Sequence, residues 1–204
     1  VFISLAAMDV GTAFGTLGAR REMLVGFLAE PALLMVLFSA SLISNSTSLT
    51  TIVETLAHRE LAIYPGLAFA GVAFVMVSLA ENARIPVDNP ATHLELTMIH
   101  EALILEYSGR HLALVEWAAS LKLFAYSCIG LALFFPWGVA QAHEPLAMLL
   151  ALPVLVLKLA VGGFLLALLE TVSAKLRIFR VPEFLGTAFL LSVMAMLVQL
   201  LLGR

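Results

Sequence analysis

Residues 61–109 read LAIYPGLAFAGVAFVMVSLA followed by ENARIPVDNPATHLELTMIHEALILEYSG. The first part is apolar and long enough to cross the roughly 30 Å hydrocarbon core of a bilayer. The second part is polar and acid-rich, with Arg84 as its only arginine or lysine. A purely structural anchor has little use for such an insert beside a membrane, so the segment indicates proton handling or the docking of a redox partner. Its carboxylates are Glu81, Asp88, Glu95, Glu101 and Glu106.

The composition of the whole chain places this segment in a membrane protein. Of 204 residues, 62% are hydrophobic and only 12% are charged, with a mean hydropathy of +1.05. A soluble domain cannot bury that much apolar surface. The sequence therefore predicts an all-α, polytopic bundle of transmembrane helices in a lipid bilayer. The net charge of −3 and the lack of a basic stripe argue against a nucleic-acid partner.

Five complete spans are predicted, and residues 1–8 look like the tail of an earlier span. Because the chain starts without Met inside an apolar stretch, we expect it to be N-terminally incomplete. Residues 1–204 form a single membrane domain in this interpretation. The complete spans lie at about 23–44, 61–80, 112–137, 146–173 and 183–202.

Basic residues predict the orientation of these spans, since connections on the cytoplasmic side carry an excess of Lys and Arg. If the spans alternate, the opposite face holds only Arg59 and Arg204. The acidic loop 81–111 should then face the cytoplasm. The basic residues of its face are Arg20, Arg21, Arg84, Arg110, Lys175, Arg177 and Arg180.

The acidic loop is predicted to contain a short helix. Pro86 and Pro90 exclude a regular helix early in the loop. Thr92 can cap a new helix, with Glu95 three residues later as its capping-box partner. We expect a helix from about 92 to 107 that lies at the interface and does not span the membrane, because it carries several charges.

Ionisable side chains within the predicted spans are candidates for a proton path. A charge at mid-bilayer costs roughly 2.5–3.5 kcal/mol on insertion scales, and such residues usually face a bundle interior and mark ion pathways. Burial moves the pKa of carboxylates and lysines toward neutrality, so both can exchange protons. The residues concerned are Glu30, Glu116, Lys122, Lys158 and Glu170.

A structural alternative for these charges stays open. Lys122 can neutralise Glu30, and Lys158 can pair with a residue of a neighbouring subunit, without any proton being moved. Redox chemistry within the chain is not predicted. Cys128 is the only cysteine, so no intrachain disulfide and no cysteine-ligated zinc or iron–sulfur site is expected. We predict no catalytic residue, no metal site and no cofactor in this chain, and any redox metal should lie in another subunit.

Several motifs resemble a known family. AENARIPVD, residues 80–88, is similar to the AETNRxPFD stretch of the ND1-like (NuoH-like) membrane subunit of respiratory complex I, and Glu106-Tyr107-Ser108 is similar to its EYS. Residues 81–119, together with GARREMLVGFLAEPALL and FRVPEFLGTA, look more like one branch. That branch comprises the membrane subunits of formate hydrogenlyase and hydrogenase-4-type complexes. The similarity runs over essentially the whole chain.

This resemblance implies a role and a set of partners. In the family, the loop matching 81–109 packs under the hydrophilic redox arm, and a glutamate path continues into the membrane. The expected docking residues are Glu81, Arg84, Asp88 and Arg110. The expected partners are a [NiFe] hydrogenase large subunit, a ferredoxin-like iron–sulfur subunit and an antiporter-like membrane subunit, which would hold the [NiFe] centre and the clusters. With the lysines at depth, the proton path comprises Glu30, Glu81, Asp88, Glu95, Glu106, Glu116, Lys122 and Lys158.

Three functions are therefore considered. The first is a membrane anchor of an energy-converting [NiFe] hydrogenase, which couples electron transfer to proton translocation through its carboxylates. The second is the related subunit of a quinone-reducing NADH dehydrogenase. Asn82, Ala83 and Val87 argue against it, because the quinone-reducing relatives have Thr-Asn and Phe there. The third is a passive scaffold, whose membrane charges could be neutralised without loss of coupling. An independent transporter is disfavoured because no inverted repeat is visible.

Overall fold

The computed structural model describes residues 2–58, 65–88, 98–139, 145–174, 176 and 178–202. The described residues form helices joined by turns, so the predicted all-α, polytopic class is confirmed. A single turn of 3-10 helix, Ile178–Arg180, precedes the last helix. The α-helices are α1 (Phe2–Val10), α2 (Ala13–Ser44), α3 (Leu49–His58), α4 (Pro65–Glu81), α5 (His100–Ile104), α6 (Gly109–Phe134), α7 (Pro145–Val172) and α8 (Val181–Leu202).

Four of these helices are long and apolar enough to cross a bilayer, namely α2, α6, α7 and α8. The predicted span 61–80 corresponds to α4, which has 17 described residues. At 1.5 Å per residue it measures about 25 Å, somewhat less than the hydrocarbon core. Residues 61–64 of that predicted span lie outside the described part of the chain, as do Arg59, Lys175, Arg177 and Arg204.

Helix α2 starts ten residues before the span predicted at 23–44. Thr12 caps it, because the Thr12 hydroxyl accepts a hydrogen bond from the backbone N–H of Gly15 at 3.2 Å. Arg20, Arg21 and Glu22 therefore lie within a continuous helix and not in a flanking loop. This extra length carries α2 past the apolar region and up to the acidic loop.

The core of the bundle is formed by α2, α4 and α8. Small side chains line the contacts between these helices, which lets the backbones approach closely. Gly66 of α4 is an example, since a Cβ there would stand 2.8 Å from the carbonyl oxygen of Ala195 in α8. The alanines of this contact are buried to 4% exposure or less: Ala29, Ala32, Ala70, Ala73, Ala80, Ala188 and Ala195.

Helices α6 and α7 lie at the periphery of the core. α6 packs on α4 through Phe134 and through Gly130, which meets the ring of Phe74. The span-length window of α7 has no buried residue within this chain. A mostly apolar helix with so little surface buried in its own chain faces either lipid or another subunit.

The acidic loop holds a shorter helix than predicted. Met98 and Ile99 are not helical, and α5 covers only His100–Ile104, so the described residues exclude one continuous helix over 92–107. Thr92 and Glu95, the predicted capping box, lie outside the described residues. The start of α5 is fixed instead by the carboxylate of Asp88, which accepts hydrogen bonds from the backbone N–H groups of Ile99 and His100.

Candidate functional site

A cleft of about 500 Å³ lies where α2, α5 and α6 meet the end of α4. We call it the charged cleft. Its wall combines four carboxylates with a lysine, an arginine and a histidine, so it is far more polar than the rest of the bundle. The ionisable residues that line it are Glu22, Glu81, Arg84, Asp88, His100, Glu101 and Lys122.

Lys122 and Glu81 form the closest ion pair of the charged cleft. The Lys122 ammonium donates to Glu81 Oε2 at 2.8 Å and to the backbone carbonyl oxygen of Glu81 at 2.6 Å. Glu81 is the last residue of α4, so its carbonyl lacks a partner within the helix and favours a cation. The Glu81 side chain is 14% exposed and that of Lys122 is 39% exposed. The pair is therefore only partly covered by the rest of this chain.

Lys122 thus pairs with Glu81 and not with Glu30, the partner considered from the sequence. The pairing with Glu30 was considered because the two residues lie at similar depths in their helices. The sequence does not show that α4 ends beside α6, which brings Glu81 to Lys122. Arg84 makes a second, looser ion pair, since its guanidinium lies 3.6 Å from the carboxylate of Glu170 in α7. The charged cleft is therefore tied to α6 by one ion pair and to α7 by another.

Asp88 organises the loop from within. Its side chain is buried, at 2% exposure, and Oδ2 accepts from the N–H of Ile99 at 3.3 Å and of His100 at 3.0 Å. The carboxylate therefore serves α5 as a cap that comes from a distant part of the loop, and its negative charge suits a helix N-terminus. Asp88, for which the resemblance implies a docking role, thus holds the acidic loop in shape.

Helix α2 anchors the same loop from outside. Arg21 donates to the carbonyl oxygen of Met98 at 2.7 Å. Gly18, one turn earlier, lets α5 approach, because a Cβ there would stand 2.9 Å from Ala102 Cβ and 3.0 Å from the carbonyl oxygen of Ile99. The loop is thus pressed against α2, and its position is set by the bundle itself.

Three further groups of the site were not identified from the sequence. Glu22 was not identified because it precedes the predicted span 23–44 by one residue. Its spacing of four residues from both Gly18 and Gly26 places all three on the same face of α2. Lys122, His100 and Glu81 are near enough to act electrostatically on its carboxylate. Tyr126 lies one turn from Lys122 on α6, and both Glu81 and Glu30 act on its hydroxyl. Ser4 lines the charged cleft at 1% exposure, and its hydroxyl has no hydrogen-bond partner among the described residues.

The other predicted site residues do not line the charged cleft. Glu30, Glu106, Glu116 and Arg110 are exposed on the surface of this chain, and Glu95 lies outside the described residues. An exposed carboxylate at membrane depth is costly against lipid, so Glu30 and Glu116 require cover from protein or water. Within the described residues, no three His, Cys, Asp or Glu side chains converge as metal ligands.

Lys158 lies in a different environment, which we call the α6–α7 joint: Phe135, Trp137 and Lys158. The Lys158 ammonium donates to the carbonyl oxygen of Phe135 at 2.7 Å and to that of Trp137, and it lies 5.3 Å from the centre of the Trp137 ring. The sequence suggested a partner in a neighbouring subunit. Within this chain the lysine holds the carbonyl end of α6, which favours a cation, and pairing with a neighbouring subunit stays a prediction.

The fold and the charged cleft define a multi-pass membrane protein that carries an ionisable cluster beside a structured loop. Comparison with known proteins gives the family. Residues 1–201 match the family described as NADH dehydrogenase, and the chain belongs to that family.

Three relatives are named as subunits or components of larger assemblies. The chain is 31% identical to formate hydrogenlyase subunit 4 of Escherichia coli (strain K12) over 92% of its length. It is 32% identical to hydrogenase-4 component C of the same organism over 95% of its length. The match covers 60% of each of those two proteins, so the chain spans about 60% of their length. It is also 30% identical, over 67% of its length, to an NADH-quinone oxidoreductase subunit of Solibacter usitatus (strain Ellin6076), of which the match covers 34%.

Proposed function

We propose that this chain is the membrane-anchor subunit of an energy-converting [NiFe] hydrogenase complex. In this proposal the loop between α4 and α6 docks the hydrophilic redox arm, and the charged cleft couples electron transfer to proton translocation. The two relatives with near-complete coverage of the chain are hydrogenase-type subunits, which favours this branch of the family. The chain would sit in a bacterial or archaeal inner membrane with the loop on the cytoplasmic side.

The observation that carries the proposal is the Lys122–Glu81 pair in the charged cleft. The pair joins α6 to the end of α4, directly before the loop that would contact the redox arm. A partner that changes charge beside this loop would alter the balance between the ammonium and the carboxylates. Since one pKa unit corresponds to about 1.4 kcal/mol, a modest displacement of Lys122 suffices to move a proton.

The redox groups belong to the partners in this proposal. The [NiFe] centre and the iron–sulfur clusters would be held by a hydrogenase large subunit and a ferredoxin-like subunit, and an antiporter-like subunit would continue the proton path in the membrane. The span-length part of α7 has no buried residue in this chain, which leaves its surface available to a lateral membrane partner. The exposed carboxylates of Glu30 and Glu116 support such a partner too, because lipid is a poor environment for a carboxylate.

Identification of the co-purifying complex tests the proposal. The subunit, tagged at its C-terminus, is extracted in mild detergent, and the co-purifying polypeptides are identified by mass spectrometry and analysed for nickel. A nickel-bearing hydrogenase large subunit with a ferredoxin-like polypeptide is the expected result. Nickel-free partners that carry flavin and oxidise NADH would contradict it, and would favour the quinone-reducing alternative suggested by the third relative.

A further inference from the structure

Glu22 lies in a row of α2 that runs from the docking loop toward Glu30. Gly18, Glu22, Gly26 and Glu30 are spaced four residues apart, which places them along one ridge of the helix. Gly18 contacts Ile99 and Ala102 beside α5, so the row begins at the acidic loop. Glu30 lies eight residues beyond Glu22, about 12 Å farther along the helix axis.

At its loop end, this row opens into the charged cleft. Glu22 lines the cleft together with Glu81, His100 and Lys122, and all three act electrostatically on its carboxylate. Two carboxylates, Glu22 and Glu81, therefore share the influence of one ammonium group. The ammonium donates a hydrogen bond directly to Glu81, and Lys122 also acts electrostatically on Glu22.

Toward Glu30, the row leaves open space. Among the described residues, a Cβ on Gly26 would meet Glu30 Oε1 at 3.9 Å and no other side-chain atom within 4 Å, so the helix surface between Glu22 and Glu30 is open at this point. On α6, the Tyr126 hydroxyl is near enough to Glu30 and Glu81 for both carboxylates to act on it electrostatically. A hydroxyl that can both donate and accept supplies the polar partner that bridging water requires.

We infer that Glu22 is a proton-carrying residue that links the charged cleft to Glu30. A hydronium ion in the cleft donates its proton to the Glu22 carboxylate and becomes water. The neutral acid then releases that proton to a water molecule beside Gly26, and the hydronium formed there passes it to the Glu30 carboxylate, which becomes neutral. A proton passes between two groups only when they are within hydrogen-bond distance or are joined by a bridging water molecule. Glu22 and Glu30 are roughly 12 Å apart along the helix axis, so the transfer requires water beside Gly26. Glu22 is recharged after each transfer, so no net charge accumulates on it.

This inference rests on the proposed function, and its test separates the two. The intact complex is reconstituted into liposomes, and the ratio of protons translocated to H2 evolved is measured for wild type, Glu22→Gln, Glu22→Asp and Lys122→Gln. Glu183→Gln is the matched control, because it makes the same chemical change on the exposed first turn of α8. We expect Glu22→Gln to lower the ratio roughly tenfold or more, because a positioned proton-transfer group speeds proton transfer on the order of 10²–10⁴-fold and H2 evolution continues while that transfer is slowed. Glu22→Asp should restore most of it.

A second variant guards against a failure of Glu22→Gln to assemble. Gly26→Leu fills the space between the two carboxylates and leaves both in place, so it should lower the same ratio. Gly186→Leu on α8, where a Cβ meets nothing within 4 Å in this chain, is its control. If Lys122→Gln lowers the ratio and neither Glu22→Gln nor Gly26→Leu does, the role of Glu22 is overturned and the proposed function stands. If wild type evolves H2 without moving protons, both are overturned.

Discussion

The charged cleft and the α6–α7 joint each place one lysine among apolar helices, yet the two ammonium groups meet different partners. Lys122 bonds the carboxylate and the carbonyl of Glu81, and further carboxylates line the same cleft. Lys158 bonds two backbone carbonyls and lies over the face of Trp137. A lysine beside titratable groups can exchange protons, whereas a lysine held by carbonyls stabilises a helix end.

The largest effect should come from crowding the contact between α2 and the loop. Gly18→Leu drives a side chain into backbone atoms of Ile99 and Leu103, which cannot move aside as a flexible side chain can. We expect a loss of about 1–3 kcal/mol at this contact and displacement of α5. The measurement is the amount of redox arm that co-purifies with the tagged subunit. Gly162→Leu on α7 is the control, and equal loss in both variants would show that the two regions respond alike.

The next effect concerns the cap of α5. Asp88→Asn keeps the shape of the side chain but removes its negative charge, which strengthens the hydrogen bonds that Oδ2 accepts from the N–H groups of Ile99 and His100. We expect a loss of about 1–2 kcal/mol at this end of the loop. Hydrogen exchange followed by mass spectrometry should show faster exchange for 99–104 and no change in α8. Unaltered exchange in the loop would mean that Asp88 does not hold it.

Much of this architecture follows from sequence because bilayer physics constrains it. Runs of apolar residues near twenty long predict helices, and α7 and α8 lie within two residues of the predicted limits. Lys122 was singled out because a charge is costly within a membrane, whereas Glu81 and Asp88 were singled out because they lie in the acidic loop and in a motif of the family.

The pairing of these charges and the role of Glu22 could not be predicted in the same way. Helix packing decides that Lys122 reaches Glu81 at the end of α4, and no spacing along one chain encodes that contact. The capped start of α2 at Thr12 extends the helix past its apolar region, which moves Glu22 from an apparent flank into the cleft. The i+4 row of glycine and glutamate on α2 is the sequence signal that could have revealed it.

At the α6–α7 joint the expected effect is smaller and purely structural. Lys158→Met removes the ammonium that holds the carbonyls of Phe135 and Trp137, and keeps the length and apolar stem of the side chain. We expect a loss of about 1 kcal/mol. Thermal unfolding of the detergent-solubilised complex checks this loss. A collapse of proton coupling in an assembled, thermally stable Lys158→Met complex would place Lys158 in the proton path after all.

The smallest effect should come from Tyr126. Tyr126→Phe removes one hydroxyl and keeps the ring that packs on Phe74, with ring centres 6.3 Å apart. We expect stability to change by about 0.5–1 kcal/mol or less. The ratio of protons translocated to H2 evolved should fall modestly, because water can partly replace the hydroxyl. Cys128→Ser, a change two residues away on the same helix, is the control.

The most direct test of the contrast between the two lysines compares Lys122→Gln with Lys158→Gln in the reconstituted complex. The quantity measured is the number of protons translocated per H2 evolved, with assembly checked by the amount of redox arm retained. We predict that Lys122→Gln retains the redox arm and loses most proton translocation, whereas Lys158→Gln keeps the wild-type ratio. Equal ratios in the two variants, or a loss confined to Lys158→Gln, would contradict a coupling role for the charged cleft.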